Sequence, residues 1–163
     1  MPNGIKTLKM SNIIDSIWEL MAQVPDPEIP IINLVELGVI RDVQYDSTSQ
    51  QVTITVTPTY TGCPAKKLFS DLIEEKLKEN NYNHIKIIEQ IHPAWTTDWL
   101  SEETKAKLLK DGISPPTIGN KNIICPHCKS SQTKMISQFG STACQSLYQC
   151  EICKEPFNYF KCL

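Results

Sequence analysis

Two Cys-x-x-Cys pairs, Cys125-Pro-His-Cys128 and Cys150-Glu-Ile-Cys153, with 21 residues between them, constrain what the C-terminal part of this chain can become. Each pair sets two thiols on one tight turn, so both sulfurs can face a single cation, and two such turns complete a tetrahedral S4 site. A segment of about 45 residues buries too little apolar surface to fold unaided, so a bound metal supplies the missing stability. Residues 119–163 therefore read as a zinc ribbon, with a structural zinc held by Cys125, Cys128, Cys150 and Cys153. Four thiolates leave no open position for substrate or water. The same ligand set also suits a rubredoxin-like iron or a cluster, and the spacing alone leaves that alternative open. Cys144 is either an alternative ligand or a buried thiol, and His127 is either a surface residue of its knuckle or a substitute ligand. Cys162 has the weakest case for a role.

The 163 residues allow one ordinary domain beside this small one. Seven cysteines without an apolar signal core in Met1–Met10 point to a reducing cytoplasm, and no segment is long and apolar enough to span a bilayer. Residues 1–118 hold 11 Lys and Arg against 16 Asp and Glu, net −5, while residues 119–163 hold 5 lysines against 2 glutamates, net +3. Those five lysines are scattered and no arginine accompanies them, which argues against nucleic acid as a partner.

The first 118 residues carry a mixed pattern. Ile13, Ile17, Leu20, Met21 and Val24 form one face of an amphipathic helix capped by Ser11 or Asn12 and stopped by Pro25-Asp26-Pro27-Glu28-Ile29-Pro30. Residues 38–45 and 51–57 read as a hairpin, in which Val52, Ile54 and Val56 face one way and Thr53, Thr55 and Thr57 the other. A second helix follows Gly62-Cys63-Pro64, with Ala65, Leu68, Phe69, Leu72, Ile73 and Leu77 as its core stripe, and residues 85–91 form a third strand. The order α-β-β-α-β predicts an α+β fold: a small sheet with both helices packed on one face, over residues 11–118 including a linker. The linker falls at Gly112-Ile113-Ser114-Pro115-Pro116, after a short polar helix over residues 101–110.

Three further groups bear on chemistry. Cys63 sits where a helix begins, with Gly62 permitting the turn and Pro64 suited to the first helical position. Unpaired N–H groups, the helix dipole and Lys66 and Lys67 would favour its thiolate, for metal transfer or redox chemistry; alternatively it is a small apolar filler. No base or oxyanion motif accompanies it, so the chain is not expected to be an enzyme by itself. Asp26 and Glu28, at i and i+2 around prolines, either assist a metal or are solvated turn residues. Trp95 and Trp99 are either a partner-binding surface or packing anchors between domains.

Asp26-Pro27-Glu28-Ile29-Pro30, Leu37-Gly38-Val39-Ile40, Thr57-Pro58-Thr59, Gly62-Cys63-Pro64 and Trp95-Thr96-Thr97-Asp98-Trp99 together resemble the PaaD family, a component of the phenylacetyl-CoA epoxidase system. Gly112-Ile113-Ser114-Pro115-Pro116, the two Cys-x-x-Cys pairs, Phe139-Gly140-Ser141-Thr142-Ala143-Cys144 and Lys154-Glu155-Pro156-Phe157 extend the likeness to residue 162. His92 departs from it. The first half alone resembles the SufT-like domain of Fe–S assembly factors. The resemblance implies an accessory subunit of a di-iron monooxygenase in phenylacetate degradation, acting in maturation or assembly of its iron or Fe–S centres. The alternative it implies is a permanent structural subunit of the oxygenase complex. It also implies transient iron or a cluster at Cys63, Asp26 and Glu28, and partners among the oxygenase or reductase subunits and the Fe–S assembly machinery. A homodimer would let two such loops share a metal across a two-fold axis.

Overall fold

The computed structural model describes residues 3–60, 62–117 and 122–161. Tertiary contacts divide the chain into two units. One is Met1–Pro58 with Pro64–Ala94, and the other is Thr59–Cys63 with Trp95–Leu163.

The first unit contains α1 (Asn3–Met21), β1 (Ile40–Asp46), β2 (Gln51–Val56), α2 (Lys66–Glu79) and β3 (His84–Glu89), the α-β-β-α-β order expected. Its sheet runs β1-β2-β3. The short link makes β1 and β2 an antiparallel hairpin, with Val43 opposite Ile54. β3 returns parallel to β2, with Ile54 opposite Ile87, because α2 carries the chain back across the sheet. Val43, Val52, Ile54 and Val56 are buried on one sheet face, as are Ile17 and Met21 of α1 and Phe69, Ile73 and Leu77 of α2. Each such side chain contributes roughly 1.5–3 kcal/mol by leaving water. The other face exposes Asp42, Gln44, Lys86 and Ile88, so both helices cover the same side.

Two local expectations are corrected. α1 begins at Asn3, so Ser11 and Asn12 lie inside the helix rather than capping it. The buried stripe of α2 is narrower than its apolar pattern: Phe69, Ile73 and Leu77 repeat every four residues after Ala65, while Leu68 is 50% exposed. A four-residue step keeps to one line on a 3.6-residue helix, and Leu68 falls off its edge.

The second unit contains α3 (Glu102–Lys110), β4 (Ile113–Ser114), β5 (Thr133–Ser137), β6 (Gln145–Cys150) and β7 (Pro156–Phe160). Its sheet runs β4-β7-β6-β5. Ser101 caps α3, its Oγ accepting from the Thr104 N–H at 3.0 Å, and Glu102 and Glu103 occupy the first turn where the dipole favours acids. Gly112 follows the helix at φ 83°, the left-handed conformation that ends helices and suits glycine.

The segment expected to be a linker is part of this fold. Ile113 and Ser114 pair in parallel with Asn158 and Tyr159 of β7 and are buried, so contacts divide the chain at Ala94 and Trp95 rather than at residue 118. Extended backbone between Gly112 and Pro115 offers ready N–H and C=O groups to the edge of β7. Trp95, one of the two candidate partner-binding tryptophans, is only 4% exposed, with its ring tilted against Phe160 at 5.8 Å. It is an interior side chain of this unit and has no face to offer a partner. Trp99 is half-buried. Among the described residues, no helix is long and apolar enough to cross a membrane.

Candidate metal centre and buried loops

The four knuckle cysteines converge. Their sulfurs all lie within 4.8 Å of one another, Cys125 to Cys153 at 3.7 Å and Cys128 to Cys150 at 3.5 Å. Tetrahedral ligation with metal–sulfur bonds of about 2.3 Å requires sulfurs about 3.8 Å apart, so the cage fits a zinc-sized cation.

Both knuckles are built alike. The Lys129 N–H donates to the Cys125 carbonyl at 3.0 Å, and the Lys154 N–H to the Cys150 carbonyl at 3.1 Å. The Cys125 N–H in turn donates to the Ser130 carbonyl, and that of Cys150 to the Glu155 carbonyl. Each turn closes only because its lysine adopts a left-handed backbone, φ 63° at Lys129 and 67° at Lys154. Such a conformation costs a residue with a Cβ roughly 1–2 kcal/mol. Sequence reasoning did not include these lysines in the site, although both Cys-x-x-Cys pairs are followed by lysine.

Phe157, Tyr148 and Ile123 pack against Cys125 and Cys150 and form an apolar floor. Burial resists ionisation of Cys150, but N–H groups of Cys153 and Ile152 and the Cys128 and Cys153 thiols bring it down to about 6. At Cys153 the Glu155 N–H favours thiolate, yet burial and the three neighbouring thiols push it up to about 12. Sulfurs this close resist sharing negative charge, and a divalent cation removes that conflict.

Asp26 has two readings in the sequence, a metal-assisting carboxylate or a solvated turn residue, and the structure removes the solvent. Pro25 bridges to Asn33, and the Asp26 N–H donates to the Ile32 carbonyl at 2.9 Å, folding the proline-rich loop back on itself. Asp26 is 6% exposed, and its Oδ1 accepts from the N–H of Glu28 at 2.9 Å and of Ile29 at 2.7 Å. Burial raises its pKa above the ordinary aspartate value, and the two N–H groups only partly offset that. Glu28 is half-buried.

Thr57, just past β2, belongs to the same unit and is 1% exposed, with no hydrogen-bond partner for its Oγ1 among the described residues. The strand pattern places it outward with Thr53 and Thr55. Its N–H instead donates to the Val39 carbonyl at 2.8 Å, which tucks the residue inside. A buried hydroxyl left unpaired costs about 1–3 kcal/mol.

Cys63 is 8% exposed, so the thiol is buried rather than displayed, and its N–H donates to the Tyr60 carbonyl at 3.2 Å. α2 begins only at Lys66, after a turn through Pro64 and Ala65. The expected cationic field is also accounted for elsewhere: Lys66 pairs with Glu89 and Lys67 with Asp71, each at 2.9 Å.

Residues 14–81 match the profile of an iron-sulfur cluster assembly protein, and residues 114–161 that of a PaaD zinc beta ribbon domain. A protein of Escherichia coli strain K12, provisionally named as the D component of 1,2-phenylacetyl-CoA epoxidase, is 41% identical over 157 residues, covering 92% of this chain and 93% of that one. Among solved structures, a domain of unknown function from Bacillus anthracis (DUF59) has a TM-score of 0.58 at 25% identity, covering 63% of this chain and 96% of its own. A conserved hypothetical protein of Thermotoga maritima has a TM-score of 0.50 at 25% identity, covering 58% of this chain and 91% of its own. With both halves matched in one order and the relative spanned almost end to end, the chain belongs to the PaaD family of the phenylacetyl-CoA epoxidase system.

Proposed function

We propose that this protein is a cytoplasmic accessory subunit, without a reaction of its own, that helps to mature or assemble the iron or Fe–S centres of a phenylacetyl-CoA epoxidase. The observation that carries this reading is a buried, ligand-capable carboxylate inside the stretch that matches an iron-sulfur assembly protein. An asparagine at position 26 would accept the same two N–H bonds without burying a charge. Keeping a carboxylate there makes sense if its charge meets a cation. Asp26 and Glu28 offer oxygen, and the Cys63 thiol offers sulfur, each a ligand type that suits iron as cargo. The ribbon cysteines have a different task. With all four coordination positions filled by sulfur, a zinc there braces the fold and does no chemistry.

Replacing Cys63 by Ala tests the transfer role. The variant is expected to keep its fold and its zinc, but to lower the iron content and activity of the epoxidase in cells at least tenfold. Normal iron content and activity in that strain would rule the transfer role out. A permanent structural role in the complex remains the second reading, favoured by the exposed apolar side chains Met135, Ile136 and Phe139 of the ribbon.

A further inference from the structure

In the sheet order β4-β7-β6-β5, β5 is the outermost strand, and it pairs only with β6 among the described strands. Its register slips between Met135, opposite Tyr148, and Ser137, opposite Leu147, so Ile136 is the extra residue of a β-bulge. Neighbouring strand residues ordinarily face opposite ways, but a bulge re-aims one of them. Here both large side chains reach solvent, Met135 at 55% and Ile136 at 51% exposure, and Phe139 just beyond is 64% exposed.

The segment after the strand is well tied down. The Gly140 N–H donates to the Gln145 carbonyl at 2.9 Å, and Asn158 holds Ser141 through both its amide nitrogen and its oxygen. A Cβ on Gly140 would come within 2.5 Å of the Asn158 oxygen, so the turn admits glycine for reasons of space. The Lys161 Nζ lies 4.7 Å above the Phe139 ring and donates to the Gln138 carbonyl at 3.0 Å. The balance of charge is positive: residues 122–161 contain Lys129, Lys134, Lys154 and Lys161 against Glu151 and Glu155.

The short length of β5, its lysine and its bulge limit indiscriminate pairing at this free edge, whereas three large apolar side chains left in solvent mark a contact surface. We propose that the outer edge of β5, with Met135, Ile136 and Phe139 flanked by Lys134 and Lys161, docks an extended acidic and apolar segment of another epoxidase subunit as an added strand. Main-chain hydrogen bonds along β5 provide affinity, the three apolar side chains provide the buried contact, and the two lysines select acidic neighbours. A second copy of this chain paired edge to edge through β5 fits less well, because it would set the same lysines against one another. The proposal rests on the reading that the chain serves the epoxidase, and it names the surface by which it does so.

The test uses the full-length, zinc-loaded protein and the purified oxygenase and reductase subunits of the epoxidase, with binding measured calorimetrically at low and at moderate salt. Wild-type protein is expected to bind, more weakly as salt rises. The double variants Ile136→Asp/Phe139→Asp and Lys134→Glu/Lys161→Glu should each weaken binding at least tenfold while retaining one zinc per chain. The charge-reversed pair should also lose the salt dependence. If wild-type protein binds and neither variant is weakened, the surface is elsewhere although the accessory role stands. If wild-type protein binds no subunit, the proposed surface and its partner both fail. A wild-type homodimer that the same substitutions dissolve would assign this edge to a second copy and overturn the proposal. Epoxidase iron content with the Cys63→Ala protein reports separately on the transfer role.

Discussion

Removing the cation from the four-cysteine cage, by strong chelation or by Cys150→Ser, is expected to unfold residues 122–161 while the β1-β2-β3 sheet stays intact. The buried cluster beneath the knuckles consists of Cys125, Cys150 and Phe157, with Ile123, Tyr148 and Cys153 partly buried around it. So few apolar groups cannot hold the two knuckles and the strands between them in place without the cation. Structural zinc contributes roughly 10–16 kcal/mol in small finger peptides, comparable with the whole stability of a domain. The metal-free state also restores the conflict among sulfurs held within 4.8 Å, and both left-handed lysine turns lose the ligation that holds them. Amide hydrogen exchange before and after chelation measures this directly. Protection should vanish in β5, β6 and β7 and persist in β2. A ribbon that stays protected without metal would refute a structural role for the cation.

The second large effect concerns Asp26. Asp26→Ala should cost about 2–4 kcal/mol, because the Glu28 and Ile29 N–H groups lose their shared acceptor inside a buried loop. Asp26→Asn should be at least as stable as the wild type at neutral pH, because the amide oxygen accepts both bonds and no charge is buried. The pH dependence follows from the raised pKa of the folded state. The native protein holds this proton more tightly than the unfolded chain, so the contribution from Asp26 is fully present below the ordinary value of 3.8. It is lost as pH rises through the higher native value. Chemical denaturation of wild type and Asp26→Asn across that range should show the difference between them grow in favour of the asparagine as pH rises, then level off. A variant that is stable at neutral pH yet fails to support epoxidase iron loading would separate the charge of Asp26 from its structural bonds. Equal function with Asn would leave it a turn residue.

How much of this could be read in the sequence depended on whether the signal was local. The alternation of Val52, Ile54 and Val56 and the apolar repeat of α2 are properties of neighbouring residues, and both placed their elements within a residue or two. The pairs Cys125/Cys128 and Cys150/Cys153 are also local, since a tight turn brings the members of each together wherever the rest of the chain lies. Ile113-Ser114 defeated the same logic, because proline and glycine on either side mimic a linker and only the edge of β7, more than 40 residues later, makes a strand of it. Trp95 suits a surface or a core equally well until Phe160 comes against it.

What the sequence determined on its own was the element order, the sulfur cage and the family, because periodicity, turn spacing and ordered motifs survive without coordinates. Burial was the part that only tertiary structure decided. It enclosed Asp26, Thr57 and Cys63, which the sequence presents as loop and strand-end residues, and it left Met135, Ile136 and Phe139 outside. The physical reason is that solvent exclusion depends on what distant segments cover. A carboxylate, a hydroxyl or an apolar side chain acquires its chemical character from those segments rather than from its neighbours in the chain.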